Sequence, residues 1–194
     1  MATHSGGAAG GTGRSSGGSS HSLVSRSAVN FVHQELISFC IASNSWDYEG
    51  SLATVEDAAF PLGAKIVERL TLFKPRLPDQ KNCVKFVCKD FWNYIFNKNA
   101  DQLQTNRKGG YVIRDYALSW FQPFSGTVDP ERRLPGMQLT ASQHAHIHGT
   151  FLAGLVRGAL TSLGVPCTVV ADCTSLPSCV LHVKIPSASG GGGA

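Results

Sequence analysis

Three histidines at alternate positions, His144, His146 and His148, are the residues whose types and spacing could do chemistry. On a helix, residues four apart share a face. His144 and His148 could therefore offer two imidazoles to a divalent metal while His146 points away. No Cys, Asp or Glu close by in sequence completes a tetrahedral set. Both residues also fall at the edge of an apolar stripe, where a hydrogen-bonded structural histidine is the ordinary role, so no metal is assigned to them. The six cysteines contain no C-x-x-C. Cys167, Cys173 and Cys179 recur at an even interval that is not a ligand pattern, and all six are expected as thiols in a reducing compartment. There is no nucleophile elbow, Walker loop or H-E-x-x-H. Glu56-Asp57 lies at a helix entry, where acids favour the dipole. These observations point away from catalysis and away from any cofactor.

Composition narrows the classes further. The chain has 194 residues and a formal net charge of +4. That is long enough for one domain with a real core and too weakly basic for a dedicated nucleic-acid binder. The longest apolar run, Phe151 to Val156, is far shorter than a membrane span, and a cytoplasmic setting is expected. Residues 1–26 are Gly- and Ser-rich and read as a disordered tail. Their scattered arginines and lack of acids also resemble an organelle transit peptide. Residues 187–194 form a second, glycine-rich tail, leaving a domain over 27–186.

Four helices and a sheet must position whatever the domain does. The first helix is predicted over Ser27 to Ala42, with Val29, Val32, Leu36, Phe39 and Cys40 on one stripe and Phe31 and Ile37 off it. A helix apolar on more than one face is deeply buried or covers a partner. The second is predicted over Pro61 to Leu72, with Leu62, Ile66, Leu70 and Val67 inward. Pro61 suits a first turn, although Val55 to Phe60 could extend the helix with a kink. The third runs from Asp79 to Phe96. Val84, Val87, Cys88, Phe91 and Ile95 make its main stripe, and Phe86 and Phe96 point elsewhere. Beside that stripe Lys81, Lys85 and Lys89 form a basic line that is either a solvated face or a contact with an anionic membrane.

Leu103 to Asn106 and Tyr111 to Arg114 then flank Arg107-Lys108-Gly109-Gly110, a hairpin signal. Leu118 to Phe121 is predicted as a further strand, and residues 122–138 as an exposed loop. Thr140-Ala141-Ser142-Gln143 has the form of a capping box and opens a helix that stops at Gly164 and Pro166. Within it Gly154 and Gly158 share a face that permits close backbone approach to another helix or the sheet. Strands over Cys167 to Ala171 and Cys179 to Ile185 end the domain. The expected class is α+β, in the order ααα-βββ-α-ββ, a helical layer on one antiparallel sheet of four to five strands.

Cys88-Lys89-Asp90-Phe91-Trp92, followed by Asp101, Leu103, Thr105-Asn106 and Gly110-Tyr111-Val112, resembles the centre of subunit 6 of the TRAPP vesicle-tethering complex. Val67-Glu68-Arg69-Leu70-Thr71, Gly154-Leu155-Val156-Arg157-Gly158-Ala159-Leu160 and Leu176-Pro177-Ser178-Cys179 agree with it in order, over about residues 27–186. Two departures stand out. Phe151-Leu152-Ala153 replaces the family's Phe-Pro-Cys, and no cysteine in the link before the third helix matches the acylated cysteine of the core subunit, since Cys83 lies inside the helix.

The resemblance implies an α/β-plait subunit that is not an enzyme and pairs through its helices with the acylated core subunit. With other TRAPP subunits it would form an assembly that exchanges nucleotide on a Rab GTPase in ER–Golgi and Golgi traffic, peripheral to those membranes. It implies a partner-facing set of Phe31, Val32, Leu36, Ile37, Leu62, Ile66, Val67 and Leu70, with Lys81, Lys85 and Lys89 facing the membrane. The alternative reading is a small-molecule or lipid-binding α+β module whose helices close over an apolar pocket.

Overall fold

A computed structural model describes residues 19–105, 110–125 and 138–186. Residues 1–18 of the tail expected over 1–26, the expected tail over 187–194, the hairpin turn over 106–109 and most of the expected loop, 126–137, lie outside the described residues. Helix α1 spans Ser19–Ser43 and so begins eight residues before the predicted start, inside the stretch read as a tail. Helix α2 spans Tyr48–Thr71 and continues through Pro61, so that Val55 to Phe60 belong to the same helix. Its true start is Asp47, whose carboxylate accepts a hydrogen bond from the Gly50 amide at 2.6 Å and caps the first turn. Only residues 44–47 separate α1 from α2, in a tight turn.

The third predicted helix is a continuous rod with three geometries, α3 (Gln80–Phe86), a π turn (Val87–Phe91) and α4 (Trp92–Phe96). Asp79 caps it by accepting from the Asn82 amide at 2.7 Å, and Asn97, in the left-handed region, ends it. The wider π turn helps to bury Cys83, Val84, Phe86, Val87, Cys88, Phe91, Trp92, Ile95 and Phe96 together, while Lys81, Lys85 and Lys89 remain outside. The two-sided apolar pattern of this rod is thus entirely absorbed by the chain's own core.

Strands β1 (Gln102–Thr105) and β2 (Tyr111–Asp115) pair antiparallel. Helix α5 (Ala141–Ser162) follows, and β3 (Thr168–Asp172) and β4 (Cys179–Lys184) complete one four-stranded antiparallel sheet in the order β1-β2-β4-β3. The α+β reading holds with four strands. The predicted strand at Leu118 to Phe121 is instead a 3₁₀ helix, Ser119–Phe124. Its buried residues Trp120, Phe121 and Phe124 are spaced for a helical turn rather than a strand, and Pro123 has no N–H to give a ladder.

Helix α5 is the centre of the molecule, with β3 against it on one side and α2 on the other. The capping box is complete, the Thr140 hydroxyl accepting from the Gln143 amide and the Gln143 side chain accepting from the Thr140 amide. The α2–α5 seam is made of glycines. A Cβ on Gly158 would fall 1.9 Å from the Phe60 carbonyl oxygen, and one on Gly63 would fall 2.0 Å from that of Leu155. Close approach at Gly154 and Gly158 was legible in the sequence; the matching Gly63 on α2 was not.

Candidate functional site

Helix α1 has two apolar faces, and the structure chooses between them. His33, Ile37, Cys40 and Ile41 turn inward. Val29, Val32 and Phe39 turn out, with Val32 64% and Phe39 69% exposed, while Leu36 of the same stripe is half-buried against the core. On α2 the inward stripe is Ser51, Val55, Ala59, Gly63 and Val67, small residues that allow α5 to approach. Leu62 and Ile66 are left on the rim facing α1.

Between the two helices lies an apolar groove of about 350 Å³. Val29, Val32 and Leu36 form one wall and Leu62 and Ile66 the other. Trp120, Phe151 and His33 lie beneath, where the rings of His33 and Trp120 stack at 3.8 Å. Of the eight residues expected on a partner surface, Val32, Leu36, Leu62 and Ile66 are thus brought together in one groove. Phe31 is not part of its lining and is 66% exposed, and Leu70 is half-buried against the core. Ile37 and Val67 must be reassigned, because they are 2% and 1% exposed and belong to this chain's own core. The inward assignment of Leu62 is likewise corrected, whereas Ile66, although it borders the groove, packs half-buried against the core as expected. Periodicity groups residues on a face but does not say which face turns in.

The histidines also sort by face. His146 is exposed and hydrogen-bonded to the Tyr48 hydroxyl, whereas His144 and His148 are buried. His148 Nδ1 lies 2.8 Å from Nε2 of His33, a residue that sequence reasoning had passed over. Its only signal was its place four residues before Ile37. Burial pushes the pKa of His33 down to about 2 and that of His148 to about 3, and each is lowered further by a neighbouring histidine. Both rings are therefore neutral near pH 7, one donating and the other accepting. Burial lowers His144 as well. Phe124 stacks on its ring. Among the described residues no three of His, Cys, Asp and Glu converge as a metal site.

The thiols are similarly quiet. Burial raises the pKa of Cys40 and Cys83, takes Cys167 to about 11 and Cys88 to about 12, and a hydrogen bond with Cys173 leads the upward shift of Cys179. None of these five is poised as a thiolate. Asp115 is buried but fully engaged, accepting from Trp92 Nε1 at 2.8 Å and from the Lys98 ammonium at 2.5 Å. The polar interior is built to hold the fold, and the α1–α2 groove is open to the outside. Among the described residues no helix is long and apolar enough to cross a membrane.

Comparison with known proteins finds matches over most of the chain. The family model described as transport protein particle (TRAPP) component matches residues 29–186. The chain is 32% identical over 165 residues to trafficking protein particle complex subunit 6b of Danio rerio, covering 84% of this chain and 98% of that protein. It is 34% identical over 134 residues to the human subunit 6B, covering 69% and 78%, and 31% identical over 160 residues to the human subunit 6A, covering 80% and 94%. Among solved structures it resembles subunit 3 of the particle from Naegleria fowleri, covalently bound to palmitic acid. The TM-score is 0.61 at 13% identity, over 85% of this chain and 97% of that one; at that identity the likeness is one of fold.

Proposed function

This chain belongs to the TRAPP component family, and from that premise we propose that it is a non-catalytic scaffold subunit of the TRAPP complex whose α1–α2 groove pairs with the acylated core subunit. With the other subunits, the pair enters an assembly that exchanges nucleotide on a Rab GTPase in ER–Golgi and Golgi transport. The chain itself is cytoplasmic and peripheral to those membranes. The observation that carries the reading is the exposed apolar set Val29, Val32 and Phe39, beside a groove that Val29, Val32 and Leu36 help to line. Contiguous exposed apolar surface of this kind marks an interaction site, and Glu35 is the sole charge between Ala28 and Ile41. The occupant that fits is an apolar helical face, read at helical spacing.

Co-expression with the core subunit and size-exclusion chromatography test it. A co-eluting pair that Val32→Asp abolishes supports the reading. A monodisperse lone chain that ignores the core subunit overturns it. The groove's volume also suits a second reading, an acyl-chain pocket. Native mass spectrometry of the purified chain separates the two, since a co-purified lipid favours the pocket and a bare mass favours the protein interface.

A further inference from the structure

The connection from α2 to α3 carries Leu72 at 69% and Phe73 at 96% exposure, the latter the most exposed of the large apolar residues described. It is not a loose excursion. The Lys74 amide bonds back to the Thr71 carbonyl at 2.9 Å. The Lys74 ammonium pairs with Asp90 and lies 4.9 Å from the centre of the Phe86 ring. The turn is thus pinned to the π segment with its apolar tip held outward. An apolar tip held clear of its own core is free to enter an apolar medium outside it.

Charge selects that medium. Between Glu68 and Asp90 stand Arg69, Lys74, Arg76, Lys81, Lys85 and Lys89 against only Glu68, Asp79 and Asp90, so this stretch supplies three of the chain's four net positive charges. Two of the acids are already engaged, Asp90 by Lys74 and Asp79 by the α3 amide that it caps. Lys85 and Lys89 line one surface groove with Pro75, Leu77 and Pro78, and Lys81 stands one turn earlier on the same exposed line. The α1 stripe has no such cations, so the two exposed apolar regions differ in kind.

We propose that Leu72 and Phe73 form an apolar anchor that inserts into the headgroup layer of an anionic membrane, with Arg76, Lys81, Lys85 and Lys89 resting on the lipid charges around it. A short apolar wedge combined with several cations is the pairing that gives reversible peripheral binding. The inference concerns the chain by itself and does not rest on which protein covers α1.

Vesicle sedimentation tests it, with the whole chain and vesicles of phosphatidylcholine alone or with roughly a third phosphatidylserine. Binding is expected only to the anionic vesicles and should weaken on raising salt toward about 0.5 M. The Leu72→Ser, Phe73→Ser double variant should lose on the order of tenfold. Glutamine at Lys81, Lys85 or Lys89 should cost about fivefold each. Tryptophan in place of Phe73 should shift its emission to the blue on anionic vesicles. Val32→Asp, which tests the α1 groove, should leave vesicle binding intact, so the two surfaces fail separately. Equal binding by the Leu72→Ser, Phe73→Ser variant, or an unmoved emission, overturns the proposal. Loss of a protein partner with vesicle binding unchanged also overturns it, and reassigns the turn to protein docking.

Discussion

His33 Nε2 and His148 Nδ1, 115 residues apart in sequence, meet at 2.8 Å beneath the α1–α2 groove and tie α1 to α5. Both rings are buried, and their low pKa values mean that the native state resists protonation there.

Stability should therefore depend on pH in a defined direction. The unfolded histidines bind protons below about pH 6.5, while the native pair holds out to about pH 2–3. As the pH falls through that window the unfolded state takes up more protons and stability declines, by up to about 1.4 kcal/mol per pH unit for each histidine. Urea midpoints measured between pH 7.5 and about pH 5 should fall accordingly, and the slope should be smaller in His148→Gln. An unchanged slope in that variant would show that the acid sensitivity arises elsewhere.

The two faces of α1 should respond oppositely to mutation. Val32→Asp, on the outward stripe, should leave the urea midpoint of the lone chain within about 0.5 kcal/mol of wild type and weaken pairing with the core subunit roughly a hundredfold. Ile37→Ala, in the core, should destabilise the chain by about 2–4 kcal/mol. Reversal of the two stability effects would invert the assignment of faces.

The glycine seam between α2 and α5 should tolerate no side chain. Gly158→Ala places a methyl against the Phe60 carbonyl oxygen, a backbone atom that cannot swing aside. The two helices must part, at an expected cost of about 2–3 kcal/mol. Gly164 makes the comparison. Its φ of +83° strains any other residue, but nothing lies within 4 Å of an added Cβ. Alanine there should cost only about 1 kcal/mol.

Asp115→Ala should leave both the Trp92 indole N–H and the Lys98 ammonium without their shared acceptor. A loss of about 2–3 kcal/mol is expected, read from denaturation curves. A wild-type midpoint would mean that neighbouring groups or water replace the carboxylate at no cost.

By itself the sequence determined what is local. The capping box at Thr140 and Gln143, the two hairpin segments around residue 107 and the close-packing glycines of the last helix all follow from short-range chemistry. The motifs from Cys88 to Val112 carried the family resemblance for the same reason, being contiguous strings of residue types. Composition and missing motifs likewise turned the reading from catalysis toward interaction.

Tertiary structure decided what depends on distant neighbours. Val29 and Ile37 look alike as apolar helix residues, and only the packing of α1 against α2 and α4 turns Ile37 inward and leaves Val29 on the groove. Pro61 looked like a helix start because its ring removes an N–H. The helix nevertheless continues through it, because burial along Val55, Ala59, Gly63 and Val67 holds both halves against α5. The His33–His148 bond and the pairing of Gly63 with Leu155 join segments far apart in the chain. Local patterns group residues into faces, and only the packed fold determines which of those faces meet each other and which are left for a partner or a membrane.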